Sequence, residues 1–173
     1  SFTKTVKEMD KGEEKEQNEE LLRRMTEAGA VADDPVLKFV ENNWSKLKDF
    51  DIKDPQSVVK AIRAGIKDKA KEHFKLILLN ARNKIIGIST VSIGSLNASI
   101  VHPREVFKDA IMHNAYSVVL AHNHPSGDSE PSEDDLMITK KLVESGKILG
   151  VEVIDHIIIA KNNYFSFKAK GLI

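Results

Sequence analysis

The chain has 173 residues, with 26 basic and 26 acidic side chains and no cysteine. That length suits one ordinary domain with a small appendage. A formal net charge of zero gives no global field toward nucleic acid or anionic membrane, and the missing thiols exclude disulfides, thiolate zinc ligands and a Cys nucleophile.

Taken in chain order, the first twenty residues are charged and poor in apolar surface, the composition of a solvated tail. Leu21, Leu22 and Met25 suit a short helix over 19–28 that Gly29 ends. Val36, Phe39, Val40, Trp44 and Leu47 fall near helical spacing over 35–47, where Phe39 and Trp44 read most simply as core. Residues 1–55 therefore read as a charged tail and small helical region, and residues 56–173 as the main domain. Asp54-Pro55 is a helix start, a capping acid followed by proline at the first helical position. The helix it opens is expected to run to Gly65 or Lys69.

The texture then changes. Phe74 to Asn80 is a dense apolar run, Ala81 to Lys84 a polar turn, and Ile85 to Ile93 rich in β-branched residues, which together predict a hairpin. Gly94-Ser95-Leu96-Asn97 ends the second strand. His102-Pro103 opens a helix with Val106, Phe107, Ala110 and Ile111 on one face. Tyr116 to Ala121 is a short apolar strand of the kind buried on both faces, and it leads straight into His122. Ser132 starts a helix to about Ile148, Gly150 leads into a strand over Val151 to Ala160, and Tyr164 to Phe167 forms a last short strand. The order predicts an α/β domain, a mixed sheet covered by helices. No apolar run approaches the roughly 20 residues that span a bilayer and no leader pattern is evident, so no membrane partner and a cytoplasmic location are expected.

One stretch carries the chemistry. His122-Asn123-His124 is followed, after seven residues, by Ser132 and, after two more, by Asp135. Alternate residues at a strand end point to one side, so the two imidazoles can converge on one ion, with Asp135 facing back from the next helix. Two imidazoles and a carboxylate leave the fourth tetrahedral position of zinc open, the mark of a catalytic rather than a structural site. The plain readings stand beside this one. Two histidines in a polar loop are most often surface residues, and Ser132-x-x-Asp135 is also close to a capping box. Zinc deaminases need cysteine ligands, and a (β/α)₈ amidohydrolase barrel takes about 250 residues. Both are excluded.

The string from His122 to Asp135 resembles the JAMM signature of the JAB/MPN metalloprotease superfamily. Within it the chain is similar to RadC-family proteins, over blocks that include Gly94-Ser95-Leu96-Asn97, Val101 to Val106, Asn114-Ala115, Asp155-His156 and Ser166-Phe167. The resemblance implies a JAB/MPN fold, cytidine deaminase-like, with His122, His124 and Asp135 as ligands of Zn2+. It also implies an upstream glutamate that holds the attacking water, a place that Glu72 occupies, and a hydrogen bond from Ser132 to that water or to the oxyanion. By strand alternation Glu72 shares a side with Phe74, Leu76 and Leu78, but residue patterning alone does not choose it over Glu105. Asn123 stands where the superfamily's proteases usually have Ser or Thr, and residues 1–55 hold no clear copy of the helix-hairpin-helix region usual in RadC proteins. The leading expectation is a zinc hydrolase of amide or isopeptide bonds acting on a peptide or protein. The alternative is a DNA-repair-associated factor that binds or cuts nucleic acid. Asp155 and His156 are expected to be buried and hydrogen-bonded, with a supporting place near the zinc open to them. His73, His102 and His113 read as structural or exposed, and Arg104 as paired with an acid inside the domain.

Overall fold

The computed structural model describes Ile52, residues 54–63, Ile66 and residues 68–173. The charged tail and the helices expected over 19–28 and 35–47 lie outside those residues. Helix α1 (Pro55–Arg63) begins where Asp54-Pro55 predicts. The Asp54 carboxylate accepts from the Ser57 amide at 2.8 Å and from the Ser57 hydroxyl at 2.8 Å, the bonds an N-cap makes. Those bonds hold the carboxyl below its ordinary range. The helix is described to Arg63; Gly65 lies outside the described residues, and Ile66 is not helical, so the helix stops short of Lys69. The Arg63 guanidinium reaches across to the carbonyl oxygens of Ala160 at 2.9 Å and Lys161 at 3.3 Å.

Strands β1 (His73–Leu79) and β2 (Ile85–Ile93) form the expected hairpin. The turn is built by Asn80, whose side-chain oxygen accepts from the amides of Arg82 and Lys84, and by Asn83 at φ 58°. Helix α2 (Pro103–Met112), strand β3 (Ser117–Asn123), helix α3 (Glu133–Leu149), strand β4 (Glu152–Ile159) and strand β5 (Tyr164–Ser166) follow. The sheet order is β2-β1-β3-β4-β5, with β3 and β4 parallel and the other neighbours antiparallel. The mixed sheet flanked by helices is the α/β domain expected.

Strand alternation divides the core in two. Phe74, Leu76, Leu78, Val118, Leu120 and Val153 join Val106, Phe107 and Ala110 of α2 and Ile138 and Leu142 of α3. Ile77, Leu79, Val119, Ala121, Ile157 and Ile159 turn the other way and join Val58, Val59 and Ile62 of α1. Every residue of β3 is buried, as its continuous apolar run predicts. Full burial of each Leu, Ile or Phe in these layers contributes about 1.5–3 kcal/mol. Ile111 departs from expectation. It is 54% exposed, because α2 ends one residue later and only Val106, Phe107 and Ala110 face the sheet.

Helix α3 ends against the sheet with very little clearance. A Cβ at Gly146 would overlap the Val151 carbonyl oxygen and press on Phe107 and Val153. Alanine in an exposed helix interior is favoured over glycine by about 1 kcal/mol. Here Gly146→Ala is expected to reverse that sign and lower stability by about 1–3 kcal/mol, read as a fall in the urea midpoint at unchanged slope.

Candidate metal centre

Strand β3 runs two residues past its apolar stretch and carries His122 and Asn123 as its last members, with His124 just beyond. His122 has the parity of Val118 and Leu120, so it faces the α3 side, where the Phe74 ring stands edge-on to it with centroids 6.2 Å apart. The loop from Pro125 to Pro131 then turns the chain into α3. Ser132 caps that helix: its Oγ accepts from the Asp135 amide at 3.1 Å, and its own amide donates to Asp135 Oδ2 at 2.8 Å. The capping-box reading of Ser132-x-x-Asp135 is therefore realised, and it aims the Asp135 carboxylate at the strand end.

Three ligand atoms converge there. His122 Nε2 and His124 Nε2 are 2.9 Å apart, His122 Nε2 is 3.2 Å from Asp135 Oδ1, and His124 Nε2 is 3.3 Å from Asp135 Oδ2. A tetrahedral zinc ion with bonds of about 2.0–2.2 Å separates its ligand atoms by roughly 3.3–3.5 Å. These spacings come close to that figure, and the three residues form a group able to hold a metal ion.

The hydrogen bonds around the cluster fix where its protons are. The Asp135 carbonyl can only accept, so the Thr139 hydroxyl donates to it at 2.6 Å. Thr139 Oγ1 is also 2.6 Å from His156 Nδ1, and with its one proton committed it must accept there. His156 is fully buried, its ring stacked at 4.7 Å on Phe167. Burial, reinforced by the neighbouring His122, pushes its pKa well down and keeps it neutral. A neutral ring protonated at Nδ1 has a bare Nε2, which lies 2.8 Å from His122 Nδ1 and accepts its proton. His122 Nε2 is left bare. His124 Nδ1 in turn donates to the Asp128 carbonyl at 2.8 Å, which bares His124 Nε2. Both ligand nitrogens therefore carry lone pairs directed at one point, as metal binding requires.

Only a cation satisfies such an arrangement. Without a metal the occupant is a proton: the Asp135 bond raises the His124 pKa against the opposing effect of burial. Burial alone would raise the Asp135 carboxyl, but its hydrogen bonds with the proton-bearing imidazole pair and with the Ser132 amide pull it far below the carboxylate range.

Glu72 precedes β1 and opens onto the same cavity, a volume of about 370 Å³ whose walls include Leu96, His124, Ser132 and Asp135. Its carboxylate Oε2 accepts from the Leu96 amide at 2.8 Å, and its carbonyl accepts from the Gly94 amide at 2.8 Å. The loop after β2, which the sequence shows only as a strand breaker, thus anchors this side chain. The structure brings all five expected residues, Glu72, His122, His124, Ser132 and Asp135, to one place. Another cavity of about 400 Å³, bordered by Arg63, Lys69 and Lys161, shares His124 with the first and includes neither Glu72 nor Asp135 in its walls.

Asp155 and His156 are buried and bonded as expected. Asp155 ties down the chain after β5 by accepting from the Ser166 hydroxyl at 2.6 Å and the Lys168 amide at 2.9 Å. Arg104 pairs with an acid of the domain, its neighbour Glu105, at 3.7 Å in an exposed ion pair. Thr139 was not singled out by sequence reasoning, and Asn123 and Leu96 were noted there without a role in the site. Thr139 lies four residues after Asp135 on the same helix face, the one signal by which it could have been found.

Comparison with known proteins agrees with this geometry. Residues 52–172 match the family model described as the RadC-like JAB domain. A UPF0758 protein of Caldanaerobacter subterraneus subsp. tengcongensis is 52% identical over 124 residues, covering 72% of this chain and 53% of that protein. UPF0758 proteins of Desulforamulus reducens and Methanosarcina mazei are each 49% identical over 122 residues, covering 70% of this chain and 54% and 53% of those proteins. The chain thus spans about half the length of the curated relatives it matches. Among the described residues no helix is long and apolar enough to cross a membrane.

Three outcomes follow from the proton positions. Metal uptake displaces the proton His124 shares with Asp135, so zinc affinity measured by calorimetry should weaken as pH falls through the raised His124 pKa and level off above it. In metal-free protein the sign is opposite: the stability this pair lends is present below the unfolded histidine pKa and lost as pH rises through the folded one. Thr139→Val breaks the chain from Asp135 to His156, and zinc affinity should drop by about 10–100-fold. Unchanged affinity in that variant would refute the assigned tautomers.

Proposed function

The chain belongs to the RadC-like JAB domain family, and from that premise we propose that it is a zinc-dependent hydrolase cleaving an amide or isopeptide bond in a peptide or protein. The observation that carries this reading is the shared cavity. Glu72, held by Leu96, faces the space where His122, His124 and Asp135 turn their lone pairs. A zinc ion bound there supplies Lewis acidity, which lowers the pKa of water to roughly 7 and polarises a substrate carbonyl. With Oε2 bonded to the Leu96 amide, Glu72 has Oε1 to take a proton from attacking water and pass it to the leaving nitrogen. Ser132 accepts from the Asp135 amide through a lone pair, so its hydroxyl proton remains for the developing oxyanion.

The cavity walls favour a peptide over a nucleic acid. Besides Glu72 and Asp135 they include Asp128 and Glu130, and among the described residues lining them there is no Lys or Arg. A phosphodiester backbone would meet those carboxylates with repulsion, whereas an amide, neutral or beside a cationic side chain, would not.

Glu72→Gln retains shape but not basicity. The variant should bind one zinc per chain as the parent does, while hydrolysis in a peptide-library cleavage screen falls by about 10²–10⁴-fold. Full turnover by that variant would overturn the proposed role. Asp135→Ala should instead lose metal and activity together.

A further inference from the structure

We propose that Asn123, the residue between the two histidines, is the positioning residue for Glu72. The β1–β3 ladder ends at the pair Phe74 and His122, and beyond it the main chain of His124 turns to Ile159 of β4. On this edge the backbone leading into β1 would be left without a neighbouring strand, β2 pairing only the other edge. The Asn123 side chain takes over. Its Oδ1 accepts from the His73 amide at 2.7 Å, and its Nδ2 donates to the Lys71 carbonyl at 2.9 Å. A carboxamide offers one acceptor and one donor in a plane, the same pair of groups as a peptide unit. It therefore extends the ladder as a substitute strand and grips the main chain on both sides of Glu72.

Residue 72 is then held from two directions. Asn123 fixes its flanks, and the loop after β2 fixes its carbonyl through Gly94 and its carboxylate through Leu96. Asn123 is 8% exposed and both bonds are partly buried, so water competes for them less than at an open turn. The anchor also lies between His122 and His124. The acid and two of the metal-facing nitrogens are thereby referenced to one three-residue segment, and any shift of that segment carries both. A group that must stand within hydrogen-bond reach of a reacting water gains from such a shared reference.

This role rests on the hydrolase reading for its catalytic consequence, but its geometry is testable apart from turnover. Amide hydrogen exchange and the ¹³C resonance of the Glu72 carboxyl would be compared in the parent and Asn123→Ala. We expect exchange at His73 and Leu96 to rise by about tenfold, with a moved Glu72 resonance. Amides in the middle of β3 and α3 should stay protected, zinc should still bind one per chain, and any hydrolysis should lose kcat rather than KM. The proposal is overturned if Leu96 and the Glu72 resonance do not change, or if all amides accelerate together as for a purely structural residue. Should Asn123→Ala fail to fold, Asn123→Asp keeps the acceptor for His73 and lacks the donor for Lys71, so exchange at Leu96 and the Glu72 resonance should still change while His73 stays protected. Retained turnover in Glu72→Gln would overturn the hydrolase reading while leaving the exchange pattern to decide the role of Asn123.

Discussion

Two imidazole lone pairs and a carboxylate aimed at one point repel one another unless positive charge lies between them. The described structure is arranged to hold that unfavourable convergence in place. His122 cannot turn away, because it sits at the end of a strand buried along its whole length and its Nδ1 is tied to His156. Asp135 cannot turn away, because its other oxygen bonds the Ser132 amide at the start of α3. The free energy that enforces this comes from the two apolar layers on either side of the sheet. Packing in those layers is dense enough for Gly146 to have no room for a methyl group. The site is thus an electrostatically costly convergence supported by a large conventional core.

Elements whose signals are local were legible in the sequence. The hairpin, the fully apolar β3 and the capped start of α3 depend on residues within a few positions of one another, and periodicity captures those. The three metal-facing residues were legible for the same reason, being gathered within fourteen positions. Glu72 was not. Its anchors lie 24 residues away at Leu96 and, through its flanks, 50 and 52 residues away at Asn123, and only the resemblance to a known family picked it out. Asn123 was noticed as a departure from related proteases, yet its bonds to Lys71 and His73 arise from strand pairing that no local pattern encodes. Thr139 is one threonine on a helix until β4 places His156 beside it.

The smaller departures have equally plain causes. Helical spacing put Ile111 on the apolar face of α2, but the helix stops at Met112 and the sheet does not extend to cover it. Apolar periodicity records which face a residue would present, not whether anything lies opposite.

The start of α3 has a consequence for what this sequence can become. Asp135 completes the capping box with Ser132 and contributes to the ligand set with a single side chain. Asparagine would preserve the cap while surrendering the charge, and glutamate would preserve the charge while displacing it by a methylene from the cap. Each neighbouring substitution satisfies one demand and violates another. The position is therefore locked against gradual drift, because no single-residue path leads away from it that does not cross a form defective in either architecture or chemistry.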